Sequence, residues 1–106
     1  MLNVLKESYN RTRTSVQNFY TSTGIHVYIK DLIDDDEIVP EKVVFNVEDQ
    51  IPAHLLSEVE MIMIGWFDEF EERNINAFYS DGCLYVSNVQ SNEEDMFDDI
   101  VHEIAH

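Results

Sequence analysis

His102, Glu103 and His106, near the C-terminal end of the sequence, have the residue types and the spacing of a metal site. On a helix, residues four apart lie on one face and one turn apart, so the two histidines would project side by side. Two imidazoles placed in this way can bind one zinc ion, and the carboxylate of Glu103 can take a proton from a water that the zinc activates. The motif therefore predicts hydrolytic chemistry.

The segment that carries this motif is predicted to be a helix on independent grounds. Ser91, followed three residues later by Glu94, has the pattern of a capping box, and acids in the first turn suit the positive end of a helix. An apolar stripe then recurs at helical spacing. Its members are Met96, Phe97, Ile100, Val101 and Ile104. The histidines would sit beside this stripe, and this context separates the motif from a chance match.

A β-hairpin is predicted directly before the helix. Asp81-Gly82 joins the alternating segments 76–80 and 83–87, and Asp-Gly is a strong hairpin signal because both turn positions favour positive φ. Cys83 opens the second strand, where we expect a small core residue. It is a candidate metal ligand only by its residue type.

Residues 52–106 resemble the zincin metallopeptidases, and look like small zincin-like proteins of tailed bacteriophages. The resemblance is carried by Asn-Ala-Phe-Tyr-Ser-Asp-Gly-Cys-Leu-Tyr-Val-Ser-Asn at 76–88 and by Asp-Asp-Ile-Val-His-Glu-Ile-Ala-His at 98–106. It implies that His102 and His106 are zinc ligands and that Glu103 is the general base and acid. It also implies that the strand before the helix is an edge strand that binds an extended substrate. That strand would consist of Cys83, Leu84, Tyr85, Val86 and Ser87.

The metal site that this resemblance implies needs one more ligand. A catalytic zinc ion takes three protein ligands and a water, and the motif supplies two. In zincins the third ligand lies downstream, so we expect the sequence to be the N-terminal part of a longer protein. In a complete chain the third ligand would come from His26, His54, Asp81, a partner chain or water. In either case we expect these 106 residues to be inactive alone.

The predicted function is hydrolysis of peptide bonds in a peptide or protein substrate by a zinc-activated water, with Glu103 as the general base. Imidazole ligands make zinc the default metal. One alternative is a zincin-like fold kept as a non-catalytic structural component of a phage assembly, with neighbouring protein chains as partners. A second alternative is an acidic protein that mimics DNA, which salt-sensitive binding to a nucleic-acid enzyme would favour.

The elements that position the motif are predicted to be a small sheet with accompanying helices. Residues 25–30 alternate between apolar and polar and predict a half-buried strand, whereas residues 59–65 predict a strand that is apolar on both faces. The segment 41–51 has two competing patterns. Its β-branched residues favour a strand, but Pro40 before an acidic first turn favours a helix, and we adopt the helix.

Two shorter helical segments are also expected. Pro52 ends the preceding helix, because the residue before a proline avoids the helical region, and a helical turn follows up to Ser57. Residues 66–73 form a polar and aromatic connection with one or two helical turns, whose aromatic side chains we expect to line the core.

The fold class that follows is α+β. We expect the N-terminal part of a zincin-like domain over residues 25–106, with a small mixed sheet whose hairpin and edge strand pack on a C-terminal metal-binding helix. Residues 1–24 show no clean period and are predicted to be an N-terminal arm that is flexible or docks through its aromatic residues.

Charge and composition limit the partners and the cellular location that we expect for this protein. The net charge of −16 divides into +3 for residues 1–30, with four basic residues and one acid, and −19 for the rest, with two basic residues and 21 acids. Such a surface repels phosphate backbones, so direct nucleic-acid binding is not expected. A single cysteine excludes an internal disulfide. With no signal peptide and no membrane span expected, the cytoplasm of a host cell or a virion is the predicted location.

Overall fold

Five strands form one mixed sheet in the computed structural model, which describes residues 18–105. In chain order the strands are β1 (Asn18–Tyr20), β2 (His26–Ile29), β3 (Met61–Gly65), β4 (Ala77–Ser80) and β5 (Cys83–Ser87). Across the sheet the order is β1-β2-β3-β5-β4. Strands β2, β3 and β5 are parallel, whereas β1 and β4 run antiparallel at the two edges of this sheet. The α+β class is confirmed.

Four helices accompany the sheet within the same residues. They are α1 (Pro40–Gln50), α2 (Ala53–Leu56), α3 (Asp68–Arg73) and α4 (Glu93–Ala105). The helix that we predicted after Pro40 is confirmed: Val43, Val44 and Val47 are buried along one helical face, while Phe45 between them is 48% exposed. None of the four is long and apolar enough to cross a membrane.

The aliphatic core lies between one face of the sheet and helices α1 and α4. Successive side chains of a strand point to opposite faces, so alternate residues of the three parallel strands reach this core. Its members with at most 1% exposure are Val27, Ile62, Ile64, Leu84 and Val86 from the strands, and Val43, Val44, Val47, Met96 and Ile100 from the helices. The core fixes α4 against β5 and β4.

Aromatic side chains form a second cluster on the opposite face, beneath α3. The ring of Phe70, which is 2% exposed, lies edge-on to Phe67 and Phe78 with centroids 5.6 Å away in both cases. Phe78 in turn stacks on Tyr85 of the neighbouring strand at 4.5 Å. This cluster holds α3 against the end of the sheet that β4 and β5 form.

The predicted hairpin is confirmed, including its turn. Asp81 has φ 50° and Gly82 has φ 83°, and the turn pairs Ser80 with Cys83 across the two strands. Asp81 tolerates positive φ because short polar side chains can bond locally to the backbone, and Gly82 has no Cβ to clash. The turn therefore sets the register of β4 against β5.

The sheet also includes the end of the segment that we predicted to be an arm. Residues 18–20 form β1, and Phe19 packs partly against the core. The turn that follows is tied to α1, because the carboxylate of Glu48 accepts hydrogen bonds from Ser22, at 3.2 Å, and from the Thr23 amide, at 3.1 Å. Burial opposes the charge of Glu48, but hydrogen bonds from the side chains of Thr21 and Thr23, together with these two bonds, outweigh it and lower its pKa. The rest of the predicted arm, 1–17, lies outside the described residues.

Candidate functional site

Helix α4 begins with a side-chain cap that lies one residue after the position predicted from the sequence. The Oδ1 atom of Asn92 accepts a hydrogen bond from the amide of Asp95 at 2.8 Å, so Asn92 is the N-cap rather than Ser91. The Glu93 carboxylate also accepts a hydrogen bond from the Val39 amide at 3.0 Å, which joins the start of α4 to the start of α1. The helix is thus fixed at its N-terminal end.

Burial along α4 changes between its first and last turns. Met96 and Ile100 are fully buried against the sheet, whereas Val101 and Ile104 are only partly buried. His102 is exposed and Glu103 is half-buried. His102 and Glu103 therefore lie where the helix passes over the rim of the sheet and faces solvent.

At this rim, His102 and Glu103 line a cleft of about 470 Å³ together with Arg73, Phe78 and Tyr79. We call it the β4 cleft, because strand β4 lies between its two walls. His102 and Glu103 come from α4, which packs on the aliphatic face of the sheet. Arg73 comes from the end of α3, on the aromatic face. The cleft thus extends around the outer edge of β4.

The edge-strand prediction for Cys83–Ser87 is wrong within the described sheet. These five residues form β5, which pairs with β3 on one side and β4 on the other. Of the two hairpin strands, β5 has more buried side chains, including the fully buried Leu84 and Val86, and it takes the interior position. The shorter and more polar strand, Ala77–Ser80, lies at the edge. Of the two hairpin strands, β4 is therefore the edge strand of the described sheet.

The outer side of β4 presents backbone groups to the cleft. In an antiparallel pair closed by a two-residue turn, hydrogen-bonded and non-bonded residue pairs alternate, and Ser80 with Cys83 is the first bonded pair. The amide of Ser87 donates to the carbonyl of Asn76 at 2.9 Å, in phase with this alternation. The amide and carbonyl groups of Tyr79 consequently point away from β5 and toward the cleft.

Asp99 is a further carboxylate close to the motif, three residues before His102. Burial raises the pKa of Asp99, and the charges of Asp95 and Asp98 add to this effect. A hydrogen bond from Gln90, at 3.4 Å, and the nearby His102 act in the opposite direction. Asp99 therefore belongs to the supporting part of the helix rather than to the cleft.

The other side chains considered as metal ligands do not join the motif within residues 18–105. His26 lies on the face of the sheet opposite α4, with its ring stacked on Tyr20 at 4.7 Å. Cys83 is half-buried, and burial raises the pKa of its thiol. No group of three His, Cys, Asp or Glu side chains in this part of the chain could hold a metal ion. His106 lies outside the described residues, so its pairing with His102 stays a prediction.

Sequence reasoning did not find three residues of the cleft, namely Arg73, Phe78 and Tyr79. Phe78 and Tyr79 were assigned correctly to a hairpin strand, but the strand's edge position depends on how β5 pairs with β3. The available signal for Arg73 was its rarity, because it is one of two basic residues after position 30.

Comparisons of the chain with family models, with curated proteins and with solved structures gave no match. Evidence for function therefore comes from the chain's own residues. Two of the three motif residues lie together in a cleft, and that cleft also contains the outer edge of a strand.

Proposed function

We propose that this chain is a zinc-dependent, metallopeptidase-like protein that hydrolyses peptide bonds, with His102 and His106 as metal ligands and Glu103 as the general base. One observation carries the proposal: His102 and Glu103 line the same cleft as the outer edge of β4. An extended peptide can add to an exposed strand edge through main-chain hydrogen bonds. A peptide bound to β4 in this way would run past both side chains.

The residues of the motif would supply two of the three protein ligands that a catalytic zinc site needs. His102 offers an exposed imidazole in the cleft, on a helix whose preceding turns are fixed in the core. Helical spacing makes His106 the second ligand. When bound, zinc supplies a water that is activated near neutral pH. The proposal needs a third ligand besides the two histidines, and residues 18–105 offer no cluster that would provide it.

The chain's own residues have separate tasks in this proposal. Glu103 accepts the proton of the attacking water and returns it to the leaving amine, which is the work of a general base and acid. The outward backbone groups of Tyr79 hold the main chain of the peptide in register. The hydroxyl of Tyr79 donates to the carbonyl of Glu58 at 2.8 Å, which holds the side chain away from the main chain of a bound peptide.

The test is cleavage of a defined peptide mixture by the zinc-loaded chain, followed by mass spectrometry. Imidazole is added in one arm, because a free imidazole can take the position of the third ligand that residues 18–105 do not provide. We expect cleavage that needs both zinc and imidazole. Replacing Glu103 with Gln should reduce its rate by at least about 100-fold.

A matched control is Glu94→Gln, the same substitution at the other end of the same helix. This variant should cleave at the rate of the unmodified chain. Cleavage that persists after Glu103→Gln would contradict the role of Glu103. Absence of cleavage in every arm would contradict the catalytic part of the proposal.

A further inference from the structure

Arg73 differs from the other basic side chains that the structure describes. Within residues 18–105, Lys30 pairs with the Asp31 carboxylate at 2.9 Å, and Lys42 lies 3.7 Å from the Glu93 carboxylate. Arg73 makes no ion pair with a carboxylate in this part of the chain. A positive side chain that makes no ion pair within these residues and that lines a cleft is a candidate for contact with a ligand of negative charge.

The guanidinium of Arg73 lies beside the aromatic cluster. Its Cζ atom lies 6.0 Å from the centre of the Phe78 ring, within the range of a cation–π contact. Phe78 is itself fixed by stacking on Tyr85 and by the buried Phe70. Arg73 therefore presents its charge on the aromatic side of β4, across the strand from His102 and Glu103.

A peptide added to β4 would meet both sides of this strand. Side chains of an extended peptide alternate between the two faces of the sheet that the peptide joins. Those on the aliphatic face would point toward α4 and Glu103, and those on the aromatic face would point toward Phe78 and Arg73. The two walls of the cleft would consequently contact alternate side chains of the peptide.

We propose that Arg73 selects peptides that carry a carboxylate on the aromatic side of the β4 cleft, supplied by an Asp or Glu side chain or by a free chain end. The identification of the ligand as a peptide rests on the proposed function. Arginine suits this task because its planar guanidinium can bind both oxygens of one carboxylate. The acidic neighbours of Arg73 on α3, which are Glu69, Glu71 and Glu72, and Glu103 across the cleft oppose such a ligand, so its selection depends on direct contact with the guanidinium.

The expected selectivity is modest, because the cleft is open to water. An exposed pair of this kind should favour the carboxylate peptide about fivefold over its uncharged analogue. Higher ionic strength should reduce this preference.

The test measures binding of short peptides to the zinc-free, isotope-labelled chain by NMR titration, so that its outcome does not depend on metal or turnover. One probe is acetyl-Ala-Ala-Glu-Ala-amide, and its reference has Gln in place of Glu. A third peptide carries Gln and a free C-terminal carboxylate, which separates the two sources of charge. Failure of the zinc or cleavage experiments would leave this result unaffected.

We expect at least one carboxylate peptide to bind about fivefold more tightly than the reference, with shifts at Arg73, Phe78 and Tyr79. Arg73→Gln should abolish the difference, and Arg73→Lys should keep part of it. Lys42→Gln, which removes the same charge far from the cleft, should keep all of it. Equal binding of the three peptides, no binding of either carboxylate peptide, or a preference that survives Arg73→Gln would overturn the proposal.

Discussion

The two halves of helix α4 perform different tasks. In the first half, Met96 and Ile100 have no exposed surface and pack into the core that α1 and the sheet share with α4. In the second half, His102 is exposed and Glu103 is half-buried at the rim of the β4 cleft. The difference shows that the groups assigned to chemistry are positioned by their neighbours along the helix and contribute little to the packing themselves.

This division has a consequence for mutagenesis. Substitutions in the first half should act on the free energy of unfolding, and substitutions in the last turn should act on metal binding. If the two halves were equivalent, both kinds of effect would appear along the whole helix.

The largest effect is expected for Ile100→Ala. Removing a fully buried side chain takes apolar surface out of the core and leaves a cavity, so the free energy of unfolding should fall by about 3 kcal/mol. Urea denaturation followed by circular dichroism measures this change. Ile104→Ala is the matched control and should lower the free energy of unfolding by less, because Ile104 is only partly buried. Equal losses for the two variants would remove the distinction between the halves.

A smaller effect is expected at the start of the helix. Asn92→Ala removes the acceptor for the Asp95 amide and should lower the free energy of unfolding by about 1 kcal/mol. Ser91→Ala, the control, should change it by less than about 0.5 kcal/mol, because the cap is one residue further on. A larger loss of stability for Ser91→Ala than for Asn92→Ala in the same denaturation experiment would mean that Ser91 is the N-cap.

Asp99→Asn should stabilise the protein near neutral pH. Because its pKa is raised in the folded state, native Asp99 holds its proton more tightly than the unfolded chain does, and stability falls as the pH rises from the ordinary value of 3.8 through the raised one. Asparagine removes this penalty, so the variant should be more stable at pH 7, and the gain should shrink toward acid pH. Denaturation curves across this pH range, with Asp98→Asn as a control for net charge, measure it. A gain independent of pH would rule out this cause.

The smallest effects on stability are expected in the last turn. His102→Ala and Glu103→Gln should each change the free energy of unfolding by less than about 0.5 kcal/mol, since neither side chain is buried in the core. Thermal and urea denaturation of the two variants, compared with Ile100→Ala, test this directly. A loss as large as that of Ile100→Ala would mean that the motif has a structural task.

Local signals in the sequence predicted much of this fold. The Asp81-Gly82 turn was predictable because two consecutive positions need positive φ, and α4 was predictable because its apolar residues recur at helical spacing. The choice of a helix after Pro40 was correct for a similar reason, since a proline fits the first turn of a helix.

Predictions that depended on distant contacts were less successful. The sequence could not show which hairpin strand would be outermost, because this depends on the parallel pairing of β5 with β3, about 20 residues earlier in the chain. The two walls of the β4 cleft come from α3 and α4, so no local signal in the sequence predicts that Arg73 and Glu103 line one cleft. The motif itself was found because its residues lie within five positions of one another in the sequence.

The most direct test of the central claim is the zinc affinity of the 106-residue chain, measured by competition with a chromophoric chelator. The claim predicts one zinc ion per chain and a loss of at least about tenfold in affinity for both His102→Ala and His106→Ala. Glu103→Gln should bind zinc as the unmodified chain does. Equal zinc affinity for the unmodified chain and both histidine variants would contradict a metal site at the end of α4.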